Sequence, residues 1–101
     1  NEARYNNILL SAYNNLAIIY SKRSKKENAI FLLEKGYKIT VKENIIDQQA
    51  NLSKSLSTLY LEKLDYVNAE KYAKISLKIS KKNNFKEYKK LFAITAIVLF
   101  L

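Results

Sequence analysis

The sequence predicts an all-α fold, a stack of antiparallel helical hairpins about two and a half repeats long, on three observations. One Gly and no Pro in 101 residues leave almost nothing to interrupt helices. Apolar and small residues recur at helical spacing in each segment, and no stretch alternates for long as a strand would. A shift of 40 residues brings Leu16 onto Leu56, Tyr20 onto Tyr60, Asn28 onto Asn68, Ala29 onto Ala69, Lys38 onto Lys78 and Ile39 onto Ile79. Self-similarity of this period marks stacked repeats, in which each unit buries a face against its neighbour.

The first helix is predicted over Tyr5 to Tyr20, with Ile8, Leu9, Ala12, Tyr13, Leu16 and Tyr20 as its apolar stripe. Ser21 to Lys26 forms the turn, and Ser24 with Glu27 three residues on has the form of a capping box. Its four cations read as a solvated loop, because no glycine-rich backbone nest accompanies them. The second helix, Glu27 to Lys42, is expected to bury Ala29, Ile30, Leu33, Gly36, Tyr37 and Thr40. Gly36 falls in mid-helix, where Gly costs ~1 kcal/mol relative to Ala, and so marks a close contact.

Asn44 and Asp47 have the spacing of a cap for the third helix, Ile45 to Leu61. Asp65 is suited to cap the fourth, Val67 to Lys82, since its carboxylate can accept the unpaired N–H groups of the first turn. This helix should bury Ala69, Tyr72, Ala73, Ser76, Leu77 and Ser80, with Lys71, Lys74, Lys78 and Lys81 on the solvated side. Across the matched hairpins Leu16, Tyr20, Ala29, Leu33, Leu56, Tyr60, Ala69 and Ala73 are the expected core. Asn84 and Glu87 repeat the cap spacing and open a fifth helix.

The fifth helix ends in Leu91 to Leu101, LFAITAIVLFL, whose one polar side chain is Thr95. As a repeat helix it would set Ala96 and Phe100 where Leu56 and Tyr60 stand, but Ile97 would then occupy the small position. A helix apolar all round is either deeply buried or in lipid. Residues 85–101 are therefore expected to begin a truncated transmembrane helix beyond a repeat region at 1–84. Lys81, Lys82, Lys86, Lys89 and Lys90 precede the run and favour a cytoplasmic amino-terminal side.

The pattern Tyr13-x2-Leu16-Ala17-x2-Tyr20 with Ala29-x3-Leu33 returns as Ser53-x2-Leu56-Ser57-x2-Tyr60 with Ala69-x3-Ala73. It resembles the tetratricopeptide repeat, W-x2-L-G-x2-Y, then A-x3-F, then P. The small position is Ala or Ser rather than Gly, the Pro is absent, and the period exceeds the usual ~34 residues. The resemblance implies a right-handed α-solenoid whose first helices line a groove for an extended peptide or partner helix. Carried over, the groove positions are Ser11, Asn14, Ile18, Asn51, Lys54, Ser55 and Thr58. The carboxylate clamp of some members of the family is not matched, because Ile18, Ser55 and Thr95 stand at its positions.

With neither Cys nor His, the chain lacks thiolate nucleophiles, thiolate metal sites and the commonest general base. No nucleophile elbow, P-loop or zinc-binding pair occurs, so no catalytic, cofactor or metal site is expected. The net charge of +9 comes from 18 basic residues of which only Arg4 and Arg23 are arginine. Lysine is a hydrated point charge, and the planar Arg fork is what base and phosphate recognition recruits. Nucleic acid is thus the lesser partner class, behind a protein or peptide ligand. The expected role is the interaction or sensor segment of a larger, membrane-anchored bacterial signalling protein, with a soluble cytoplasmic peptide-sensing regulator as the alternative.

Overall fold

A computed structural model describes residues 2–83 and 85–100, with the side chains of 83 and 85–92 outside the description. Five helices follow in order: α1 Glu2–Lys22, α2 Lys26–Lys42, α3 Ile46–Glu62, α4 Tyr66–Asn83 and α5 Phe85–Phe100. Among the described residues there is no strand. The all-helical expectation holds. The chain forms two compact units, Asn1–Leu52 and Ser53–Leu101, and the division falls within α3.

The helices are separated by turns that recur every 20 residues. Ser24, Asn44 and Leu64 each adopt the left-handed conformation, with φ of 60°, 55° and 62°. In each turn the following N–H reaches back five residues, Lys25 to Tyr20 O, Ile45 to Thr40 O and Asp65 to Tyr60 O, at 2.8–2.9 Å. The left-handed residue itself donates three residues back, to Ser21, Val41 and Leu61. This pair of bonds is the Schellman arrangement, which satisfies the last carbonyls of one helix before the next begins.

That geometry corrects two expected caps. Ser24 and Asn44 are spent closing the preceding helix, so the residues before α2 and α3 are Lys25 and Ile45. Lys25 makes no side-chain cap bond, and Ile45 has no polar side chain to offer. Asp65 does cap α4: its Oδ1 accepts the Asn68 N–H at 3.2 Å and its Oδ2 accepts the Asn68 side-chain amide at 2.8 Å. The cap expected at Asn84 and Glu87 lies outside the described residues.

In the first unit α1 packs on α2 through Leu10, Ala17, Ala29, Ile30 and Leu33. Gly36 is buried, and a Cβ there would meet Leu52 Cδ1 at 3.1 Å, Leu10 Cδ2 at 3.3 Å and Tyr13 Cδ2 at 3.4 Å. The close contact read from its mid-helix place is present. Thr40, also buried, returns its hydroxyl to the Tyr37 carbonyl at 2.6 Å, so a polar group enters the core without losing a hydrogen bond.

The second unit buries Leu56, Ser57, Leu59, Ala69, Tyr72, Ala73, Ser76 and Ser80. Small residues let α3 and α4 approach until the Ser57 hydroxyl donates to the Ala69 carbonyl at 3.0 Å. Tyr60 stacks on Tyr72 with ring centroids 5.9 Å apart and planes 2° from parallel. Lys71, Lys74, Lys78 and Lys81 are exposed, as the stripe predicts. Of the expected core, Ala29, Leu33, Leu56, Ala69 and Ala73 are buried and Tyr20 and Tyr60 are half-buried, but Leu16 is exposed. Leu16 lies on a side of α1 turned away from α2, so helical phase alone could not bury it.

α5 packs on α4 in the second unit. Its buried residues are Thr95 and Val98, which stand 39 residues after Leu56 and Leu59, not 40. The register slips by one because α5 starts only two residues after the end of α4, whereas α3 starts four after the end of α2. Counted at 39, Ala96 matches Ser57, and the objection that Ile97 is too large for the small position falls away. Phe100, expected at the place of Tyr60, is 90% exposed. Among the described residues no helix is long and apolar enough to cross a membrane.

Candidate partner-binding surface

Ser11, Asn14 and Ile18 stand at i, i+3 and i+7, which puts them on one side of α1, rotated from the buried Leu10 and Ala17. Ser11 and Ile18 are exposed and Asn14 is half-buried. On α3, Asn51 is exposed and Gln48, three residues earlier, donates from Nε2 to Ser11 Oγ at 3.5 Å. The first unit thus gathers Ser11 and Gln48, with Asn14 and Asn51 on the same faces of their helices. These are two hydroxyl- or amide-bearing helix faces with no formal charge. Amides of this kind offer both donor and acceptor to a peptide backbone.

Gln48 was not singled out from the sequence. Its match under the 40-residue shift is Ile8, an apolar residue, so the repeat points away from it. The signal that could have found it is its i−3 spacing from Asn51, which places both on one face of α3.

In the second unit α3 contributes Lys54, Ser55 and Thr58. Lys54 and Ser55 are half-buried, while Thr58 is exposed and donates its hydroxyl to the Lys54 carbonyl at 3.1 Å. Its proton is engaged with its own helix, which leaves the oxygen as an acceptor. Ser11, Asn14 and Ile18 on α1, and Asn51, Lys54, Ser55 and Thr58 on α3, complete the seven positions carried over from the repeat.

Charge lies elsewhere in the second unit. On α4 the Lys74 ammonium pairs with Glu70 at 2.6 Å, and Lys71 Nζ sits 5.0 Å from the Tyr72 ring centroid. Asp65 carries a carboxyl held below the ordinary carboxylate value, first by the Asn68 side-chain bond, then by the Asn68 N–H and the nearby Lys63 charge, against a smaller opposing effect of burial. That shift belongs to a helix cap rather than to reactive chemistry.

A shallow cavity of about 260 Å³ opens in the first unit between Glu2, Ala3 and Asn6 of α1 and Glu43 and Ile45 at the start of α3. Its two carboxylates are not joined by a third ligand: among the described residues no group of three His, Cys, Asp or Glu is placed to hold a metal ion. No family model matches the chain, and neither curated proteins nor solved structures give a match.

Proposed function

We propose that this chain is a protein- or peptide-binding helical-repeat scaffold of tetratricopeptide type, serving as the interaction or sensor segment of a larger signalling protein. The observation that carries the proposal is in the first unit. Ser11, Asn14, Gln48 and Asn51 point amides and hydroxyls outward from α1 and α3, while Leu10 and Leu52 of the same helices are fully buried. Such a face can meet an extended backbone with paired hydrogen bonds and little desolvation of charge. A right-handed stack is part of the same proposal.

Selection of peptides from a displayed library on the full chain tests it. Peptides should be recovered that bind through their backbone, and Asn14→Ala with Asn51→Ala should weaken them about tenfold by removing two bonding amides. Binding to any DNA or RNA with a steep salt dependence, and to no peptide, would reverse the order of the two partner classes.

For the carboxy-terminal helix two proposals compete. A membrane span beginning at Leu91 rests on the apolar run and the preceding lysines. Burial of Thr95 and Val98 favours the other, in which α5 is a repeat helix of a soluble regulator. Fractionation of cells expressing the full-length protein separates them, since a membrane-embedded product supports the first and a soluble product the second.

A further inference from the structure

Besides the face that packs on α2, α1 carries a second apolar stripe: Tyr5, Ile8, Ala12, Leu16 and Ile19. Tyr5 and Ile8 are each 63% exposed, Leu16 40% and Ile19 47%, and Ala12 is exposed as well. At 100° per residue all five fall within one quarter of the helix circumference. The repeat indicates what such a stripe is for. Forty residues on, Ala12, Leu16 and Ile19 become Leu52, Leu56 and Leu59, all buried, and Leu52 seats its Cδ1 against Gly36 of a neighbouring helix. The face is therefore a helix-docking face, and on α1 it is uncovered.

We infer that it is covered by the α1 of a second copy of this chain, running antiparallel about a two-fold axis at Ala12. The stripe is symmetric about that residue: the steps from Tyr5 to Ile19 are three, four, four and three. An antiparallel partner therefore sets Ile8 against Leu16 and Tyr5 against Ile19, on both sides of the axis. Ala12 meets Ala12 at the centre, where a small residue lets the helices approach. A self-complementary patch of this kind is what an isologous dimer requires. Charge agrees with the direction, since α1 has Glu2 in its first turn and Lys22 in its last, and antiparallel pairing brings opposite ends together. A parallel pair would superpose like ends. The stripe is about 21 Å long at 1.5 Å per residue, enough for a weak, concentration-dependent dimer.

Sedimentation of the full chain from low to high micromolar concentration should show mass rising from monomer to dimer. Ile8→Asp and Leu16→Asp should each weaken association about tenfold or more, with helix content by circular dichroism unchanged because both residues are exposed. Phe31→Asp, at an exposed site on α2, should leave the dimer intact. The chain has no Cys, so single introduced thiols report geometry cleanly. Ala12→Cys should cross-link to itself on mild oxidation, and Tyr5→Cys should cross-link to Ile19→Cys but not to itself. Should an aspartate variant lose helix, this cross-link pattern decides. A monomer at every concentration, a dimer indifferent to Ile8→Asp, self-cross-linking of Tyr5→Cys as readily as Ala12→Cys, or capture of an unrelated helix by a monomeric chain would each overturn the inference.

Discussion

The Ser57 hydroxyl donates to the carbonyl oxygen of Ala69 at 3.0 Å, a side-chain bond between α3 and α4 buried from solvent. The Ala69 carbonyl is already within an α-helix, so the serine uses its second lone pair. Ser57→Ala should therefore cost about 1 kcal/mol, the net worth of one hydrogen bond, because no group is stranded. Ser57→Leu should cost about 1–3 kcal/mol more by forcing the two helices apart. Urea unfolding of the two variants checks the order.

Ala69 is fully buried, whereas the Lys74 side chain is 61% exposed and paired with Glu70. Ala69→Glu should lose several kcal/mol, from an uncompensated carboxylate and its volume in a closed interface. Lys74→Glu should lose less than about 1 kcal/mol, the range of exposed ion pairs. Thermal melts of both give the comparison, and equal losses would contradict the helical phase described here.

Gly36 faces the ends of Leu52, Leu10 and Tyr13, the nearest at 3.1 Å from a Cβ. Gly36→Ala gains about 1 kcal/mol of helix propensity and loses a similar amount to crowding against side-chain tips that must give way by a few tenths of an ångström. Its stability should stay close to that of the parent. Gly36→Leu exceeds any such adjustment and should destabilise by about 1–3 kcal/mol, measurable in the same unfolding experiment.

Leu64 holds φ at 62° while 68% exposed, so it carries left-handed strain with little packing in return. Leu64→Gly should raise stability by about 1 kcal/mol, since Gly adopts that conformation without a Cβ clash. A lower melting temperature for this variant would show that the leucine contributes a contact outweighing the strain.

The Asp65 carboxyl has its pKa lowered in the folded chain. Its stabilisation is accordingly present above the unfolded value of about 4 and is lost as pH falls through the lower folded value. Asp65→Ala should be less stable than the parent near neutral pH, and the gap should close on acidification below about pH 4. A gap constant between neutral pH and pH 2 would mean that the ionised carboxylate is not what caps α4.

The sequence by itself determined the helices and the phase of their buried faces. A period of 3.6 is a property of neighbouring residues, so Ala29, Leu33, Leu56, Ala69 and Ala73 could be assigned inward and Lys71, Lys74 and Lys78 outward before any partner was known. The polar faces of α1 and α3 were legible for the same reason, as Ser11, Asn14 and Asn51 follow one spacing. Gln48 beside Ser11 was not, because that contact joins residues 37 apart across two helices. Tertiary structure decided whatever depended on a second element. Ser24 and Asn44 have the chemistry of N-caps, but closing the helix before them holds them left-handed. Leu16 and Leu56 are the same residue at matched positions, and one is exposed while the other is buried. α5 buries Thr95 and Val98 because a shorter connection from α4 rotates it by one residue. Phase is set within a helix, but burial needs a neighbour, and where that neighbour lies is set by turns whose left-handed residues, Ser, Asn and Leu, share no sequence signal.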